Sequence, residues 1–261
     1  MPELIEVEYY RRLADRTVGR RIIEAETPDD WFLKRGASAS QVREALDGAT
    51  VLGTDRIGKL LLVDVGPDRP ELGLRFGMTG RLLLDGEDPV GPLLYGSHRE
   101  VPEWDRFALR FDDGSRLRLS DPRRLGGVEL DPDRGAFGPD ARSLTPSQLT
   151  AALAGSTAPL KARLLDQGRV AGLGNLLVDE TLWRAGLDPA RVAGGLTPAE
   201  RRKLHRFVRA TVADLLEQGG SHLGELQAER HRSGRCPRDG TPLQRRTIGG
   251  RTTYSCPRHQ R

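Results

Sequence analysis

The chain has 261 residues, carries a net charge of +4 from 41 Lys and Arg against 37 Asp and Glu, and contains only two cysteines. It has no apolar run long enough to span a bilayer and no charged-then-apolar leader, so a membrane-embedded or exported protein is not expected and a cytoplasmic one is. In that setting Cys236 and Cys256 are not expected to form a disulfide, and a chain of this length builds a true core divided into two or three units.

The first element is a helix. In IEVEYYRRLADRTVGRRI the apolar positions Ile5, Tyr9, Leu13 and Val18 recur at helical spacing, and Gly19 stops the run. From Ile22 to about Leu130 the pattern changes to short apolar or alternating runs such as KLLLVDV, ELGLRF, RLLLDG and GGVELD. LRFDDGSRLRL reads as a hairpin about an Asp-Gly turn, and many short strands with turns suggest a sandwich or barrel. The Pro-, Gly- and Asp-rich DPDRGAFGPDARS marks a linker over 131–144, which separates an N-terminal domain, 1–130, from a helical one. Helical texture runs over 145–229. Thr145-Pro146 and Thr197-Pro198 each put a capping residue before a proline suited to the first helical position. PLKARLLDQ and NLLVDETLWRAG flank the Gly-rich turn GRVAGLG, and the last helix stops at Gly219-Gly220.

The remaining segment, 230–261, holds nine Arg against one Asp, a bias that points to a phosphate backbone or another polyanion. Within it Cys236 and Asp239 lie three apart, as do Cys256 and His259, with sixteen residues between the pairs. Two such pairs match the layout of a four-ligand zinc ribbon, in which two tight knuckles are brought together by a hairpin. Asp and His replace two of the usual cysteines, and both can ligate zinc. His231 is a conceivable replacement ligand whose position breaks the knuckle spacing.

The start of the chain, Met-Pro-Glu, raises a separate question. Pro2 is small enough for Met1 to be removed, which would leave a secondary amine followed by Glu3, Glu6 and Glu8. An α-amino group titrates near pH 8 (roughly), so part of it is an unprotonated nucleophile able to form a Schiff base. The plainer reading seats Pro2 at the first position of a helix.

Taken together, six motifs in order resemble the formamidopyrimidine-DNA glycosylase and endonuclease VIII family from end to end. PELIEVE resembles its amino-terminal signature, DRIGKLLL its lysine hairpin, GLRFGMTG its methionine loop and DPRRLGG its arginine loop. VAGLGNLLVDETLWRAGLDP resembles its helix–two-turns–helix motif, and the C-terminal stretch resembles its zinc finger.

The resemblance implies an α+β multidomain protein: an N-terminal β-sandwich with flanking helices, a helix–two-turns–helix domain and a C-terminal zinc β-hairpin. It implies a monomeric base-excision-repair DNA glycosylase with abasic-site lyase activity on duplexes carrying damaged bases. Pro2 would attack the sugar C1′, Glu3 would move protons, Glu6 would support it, Lys59 would carry a proton or hold a phosphate at the cleaved link, and Arg251 would hold the phosphate lost in the second elimination. Met78, Arg123 and Leu125 would fill the gap left by the everted nucleotide, and Lys161 and Asn175 would anchor phosphates. The structural zinc ion would sit on Cys236, Asp239, Cys256 and His259.

Several positions depart from the family pattern. Leu125 stands where formamidopyrimidine-type members have Phe, and Trp104 and Arg106 lie near the place of a His-Asp-His run, so a phosphate contact is expected to be lost there. Between EQGGSHLG and Cys236 only ELQAERHRSGR remains of a loop that closes over the everted purine. Oxidised pyrimidines are therefore expected as substrates ahead of 8-oxoguanine. The rival readings are a glycosylase for bulky or cross-linked adducts and a non-catalytic damaged-DNA-binding protein of the same fold.

Overall fold

The computed structural model describes residues 2–91, 97 and 99–261, which divide into two compact units. The first holds residues 1–2 and 6–134, and the second holds 3–5 and 135–261. The division falls at Arg134/Gly135, inside the expected linker, and the C-terminal hairpin belongs to the same unit as the helices. Residues 131–144 are not loose, because Ala141 and Leu144 are buried. Among the described residues no helix is long and apolar enough to cross a membrane.

The first unit is a β-sandwich. One four-stranded antiparallel sheet has the order β1 (Ile22–Glu26), β6 (Asp105–Phe111), β7 (Arg116–Ser120), β5 (Arg81–Leu84). The other has the order β2 (Gly53–Ile57), β3 (Leu60–Asp64), β4 (Leu72–Arg75), β8 (Gly127–Leu130). Alternation along the strands sends Leu61, Val63, Leu72, Leu74 and Val128 of one sheet and Ile22, Ala25, Leu82, Leu84, Leu109 and Leu117 of the other into one core. The expected hairpin joins β6 to β7 through residues 112–115, with Gly114 in the left-handed region at φ +84°.

Two helices flank the sandwich. α1 spans Leu4–Asp15, so Pro2 lies two residues before the helix and not at its first position. α2, Ala39–Leu46, falls in a stretch read from sequence as strands and turns. Ser38 and Gln41 form a reciprocal capping box at its start, and Val42, Ala45 and Leu46 are buried.

The second unit holds α3 (Pro146–Leu153), α4 (Leu160–Leu165), α5 (Asn175–Ala185), α6 (Pro198–Gln218) and the hairpin β9 (Gln244–Ile248) and β10 (Arg251–Ser255). Thr145 and Thr197 both cap as expected, each in a full capping box with proline at the start of the helix. Gly186 and Gly219 end α5 and α6 in the left-handed conformation.

Candidate active site and metal centre

Glu3 follows Pro2 in the chain, and its carboxylate does the work of a helix cap for a helix that lies far away in sequence. The backbone N–H groups of Leu176 and Leu177, in the first turn of α5, donate to its two oxygens at 2.8 and 3.1 Å. Those N–H groups have no partner within the helix, and the positive end of the helix dipole favours an anion there, by up to ~2 kcal/mol in a buried setting. The turn Gly172-Leu173-Gly174 makes the approach possible. A Cβ on Gly174 would lie 2.1 Å from Glu3 Cδ, and one on Gly172, at φ +101°, would lie 2.6 Å from Leu4 Cδ1. The Gly-rich turn is therefore cut to fit the amino-terminal segment, and the Leu4 N–H donates to the Gly172 carbonyl at 3.1 Å. Pro2 and Glu3 are both buried.

In the first unit, Lys59 sits on the two-residue turn between β2 and β3, after Gly58 at φ +59°. That turn is tied to α1 by Arg56, which donates to Glu8 Oε2 at 3.2 Å and to the Gly58 carbonyl at 2.7 Å. Burial pushes the Glu8 carboxyl up, but Arg11 and Arg56 outweigh it and hold the group below its ordinary value. Glu6 is buried on the same helix. Burial first, then Asp88 and Glu6, push the Tyr10 hydroxyl well above its ordinary value.

The methionine and arginine loops are locked together by one buried carboxylate that sequence reading missed. Asp121 accepts from Thr79 Oγ1 at 2.6 Å, from the Arg123 N–H at 3.1 Å and from the Gly126 N–H at 2.8 Å. Gly77, at φ +56°, lies so close that a Cβ would stand 2.4 Å from the Leu125 carbonyl carbon. Loops fixed at this level hold their side chains outward: Arg123 is exposed, Met78 is half-buried and Leu125 is 51% exposed. Leu125 is therefore not a core residue. Arg106 is occupied within the protein, with Nε on the Asp121 carbonyl at 2.9 Å and Asp29 at 3.5 Å.

The second unit corrects one expectation. Lys161 is 0% exposed, and its ammonium donates to Asp179 Oδ1 at 2.6 Å and to the Thr252 carbonyl at 3.1 Å. A cation spent on internal partners and closed off from solvent does not reach a phosphate. Burial pulls the Lys161 ammonium below its ordinary value and pushes the Asp179 carboxyl above its own, and their mutual attraction opposes both shifts. Removing one partner of such a pair costs about 3–5 kcal/mol, because the other charge is left buried alone. Asn175 is half-buried at the start of α5; its Nδ2 donates to the Thr252 carbonyl at 3.2 Å, and its Oδ1 is buried without a partner in the described structure. Arg251 opens β10 with its side chain exposed.

Cys236, Asp239, Cys256 and His259 come together with their ligand atoms all within 4.8 Å of one another. Cys236 Sγ stands 3.4 Å from His259 Nδ1, Cys256 Sγ 3.5 Å from Asp239 Oδ2, and His259 Nδ1 3.6 Å from Asp239 Oδ2. Tetrahedral bonds of about 2.0–2.3 Å separate ligand atoms by about 3.3–3.8 Å, so the four fit one metal ion. The surroundings match. His259 Nε2 lies 3.2 Å from the Trp183 carbonyl, leaving Nδ1 free to ligate, and the Trp183 indole N–H donates to Cys236 Sγ at 3.3 Å. The Thr241 N–H, at 2.9 Å, holds the Asp239 carboxyl well below its ordinary value and so ionised. His231 is not part of the cluster; it is exposed beside Glu229 at 3.7 Å.

Comparison with known proteins finds relatives over the whole chain. The profile of the formamidopyrimidine-DNA glycosylase N-terminal domain matches residues 1–128, and that of the formamidopyrimidine-DNA glycosylase H2TH domain matches 136–226. A formamidopyrimidine-DNA glycosylase of Paracoccus denitrificans is 38% identical over 288 residues, covering 98% of this chain and 99% of its own. One from Symbiobacterium thermophilum is 36% identical, covering 100% of this chain and 89% of its own. The first alignment is longer than the 261-residue chain, so that relative carries segments absent here. Among solved structures, the Lactococcus lactis enzyme bound non-covalently to DNA containing an abasic site superposes with a TM-score of 0.84 at 29% identity, with full coverage of both chains. A mutant of that enzyme with a DNA containing a ring-opened guanine gives 0.84 at 28%, again with full coverage. The chain belongs to the formamidopyrimidine-DNA glycosylase family of base-excision-repair enzymes.

Proposed function

We propose that the protein is a bifunctional DNA glycosylase and abasic-site lyase, acting as a monomer on duplex DNA with the Pro2 amine as nucleophile. The observation that carries this reading is the Glu3 carboxylate, held by two N–H groups at the start of α5 in the residue next to Pro2. After Met1 is removed, the amine attacks C1′ of the everted nucleotide and the base leaves with a proton. Glu3 delivers a proton to the ring oxygen as the sugar opens, and the nitrogen becomes an iminium bonded to C1′. That electron sink acidifies the C2′ proton; its loss breaks the C3′–O bond and expels the 3′ phosphate. A second loss, from C4′, breaks the C5′–O bond and expels the 5′ phosphate. Lys59 serves the first of these phosphates and Arg251 the second, with Glu6 as the supporting carboxylate and Asn175 as a phosphate anchor. Met78, Arg123 and Leu125 occupy the gap in the duplex, where a flexible apolar side chain and a stacking guanidinium replace the lost base.

Cys236, Asp239, Cys256 and His259 would hold zinc as a structural ion that closes the two knuckles on each other. The substrate reading is oxidised pyrimidines ahead of 8-oxoguanine, and the compact segment after α6 supports it. Glu180 accepts from the N–H groups of Glu225 and Leu226 at 3.1 and 3.0 Å, and Glu229 accepts from the Arg235 N–H at 2.7 Å. This pinned stub offers little cover for a large everted purine, whereas an oxidised pyrimidine has lost aromatic stacking and unstacks cheaply.

The test is single-turnover cleavage of duplexes carrying thymine glycol, dihydrouracil, 8-oxoguanine opposite cytosine or an abasic site, at matched salt. The pyrimidine lesions are expected to be excised faster, with the abasic strand nicked whatever base lies opposite. Equal or faster excision of 8-oxoguanine overturns the substrate reading. Intact abasic DNA after prolonged incubation overturns the lyase.

A further inference from the structure

Three donors converge on a single backbone carbonyl in the second unit. Lys161 Nζ from α4, Asn175 Nδ2 from α5 and an Arg230 guanidinium nitrogen reach the Thr252 oxygen at 3.1, 3.2 and 3.4 Å. Asp179 stands behind them. It pairs with Lys161 at 2.6 Å and with Arg230 at 3.1 Å, and it accepts from the Tyr254 N–H at 3.4 Å. Thr252 and Tyr254 alternate along β10, so this C=O and this N–H face the same edge of the strand, away from β9. The cluster thus grips the edge of β10 that β9 does not cover.

The turn of the hairpin is fixed as well. Gly249 and Gly250 both have positive φ, and a Cβ on Gly249 would stand 2.9 Å from the Cβ of Ala162, the residue after Lys161 on α4. Arg251 lies between these two holds, with its side chain exposed. On α5, Asn175, Asp179 and Trp183 are four residues apart on one face. The three meet, in order, Thr252, Tyr254 and Cys236.

Replacing a buried ion pair by apolar side chains of similar volume is often neutral for stability, since desolvating the charges offsets their attraction. What apolar packing would not supply is register, because only directed donors and acceptors distinguish Thr252 from its neighbours on the strand.

We infer that Asp179, with Lys161 and Arg230, is the positioning device that sets Arg251 for the second elimination. This rests on the phosphate role proposed above for Arg251. Asp179 touches no substrate and acts through the strand. Misplacement of a catalytic group by about 1 Å costs up to 10²-fold, so the defect should fall on one step and leave the earlier ones intact.

The test uses the full-length, metal-loaded protein on abasic duplex DNA and separates the two elimination products on a denaturing gel. Asp179→Asn and the paired replacement Lys161→Met with Asp179→Leu are compared with Arg251→Ala. The expected result is a ratio of second to first elimination product lowered about tenfold or more in both, with the rate of borohydride trapping and the metal content unchanged. The paired replacement keeps the packing volume, so it remains informative if Asp179→Asn alone unfolds. A wild-type product ratio in the folded paired replacement, with Arg251→Ala lowered, overturns the positioning role. An unchanged ratio in Arg251→Ala removes the role given to Arg251, and the positioning inference falls with it.

Discussion

Both units use buried charge to fix backbone, but they fix different things with it: a loop in one, a catalytic carboxylate and a strand in the other. In the β-sandwich unit the groups proposed to meet DNA stand out from a locked backbone: Arg123 and Leu125 are exposed, while Asp121, Gly77 and Gly126 hold their loop in place. In the helical unit Arg251 is exposed too, and it stands on a strand held from behind by buried charged side chains: Lys161 and Asp179 are fully buried, as are Glu180 and Glu3, the last on the first turn of α5. The lesson is that display and positioning are separate tasks. A loop that must enter a duplex needs its side chains free and its backbone fixed. A catalytic carboxylate or a finger strand needs its partners fixed in turn, and fixed buried charges do that with a direction that apolar contacts lack.

The comparison breaks first at Gly174. A methyl group there stands where Glu3 Cδ is, at 2.1 Å, so Gly174→Ala must drive the carboxylate off α5. Base excision should fall by 10²-fold or more, on the order of what a general acid–base group contributes. Circular dichroism should show a folded protein, and single-turnover kinetics would read the loss. Wild-type excision would mean that the contact with α5 is incidental to Glu3.

Asp121 is the corresponding point in the sandwich unit. Asp121→Asn keeps the shape and an oxygen for Thr79 and Arg123, which share Oδ1, but sets an NH2 against the Gly126 N–H on the other side, at a cost of about 1–3 kcal/mol. The thermal midpoint should drop, and Met78 and Arg123 should lose their fixed placement, which slows excision more than abasic nicking. An unchanged midpoint would show that the loops are held by their glycines alone.

Leu125→Ala sharpens the same contrast, because a residue 51% exposed contributes little to folding. Stability should stay within about 0.5 kcal/mol of wild type while excision of a paired lesion slows; a large stability loss would return Leu125 to the core.

The smallest effect concerns acid stability. Arg191 and the Thr197 cap hold Glu200 down at about 2, against an ordinary 4.5. A depressed carboxyl stabilises the fold above its unfolded value and loses that contribution as pH falls through the folded one. The stability gap between wild type and Glu200→Gln should therefore be full at pH 6, narrower at pH 3, and readable from urea midpoints at each pH.

How far the sequence is legible depends on the range of the interactions. The knuckles around Cys236 and Cys256, the caps at Thr145 and Thr197 and the Gly114 turn are local patterns, and the structure has them. The capping box of Ser38 and Gln41 is equally local, but a helix of eight residues among strands reads as one of them. Asp121, Asp179 and Glu180 are not legible as anchors, because each also holds a partner on another element, Thr79, Lys161 and Leu226 in turn, and no spacing records it. Lys161 shows the converse error: a motif supplies the residue type, whereas the direction of the side chain is set by a carboxylate on another helix. The shape of the Glu3 site is hidden for the same reason, although the two glycines that admit it, Gly172 and Gly174, stand in plain view.

The central claim is that the Pro2 amine is the nucleophile, and borohydride trapping on abasic duplex DNA tests it most directly. Mature protein should give a covalent adduct whose peptide map places the reduced sugar on Pro2, and an uncleavable N-terminal extension should abolish it. An adduct mapped to Lys59 or another lysine, or trapping undiminished in the extended protein, would contradict the claim.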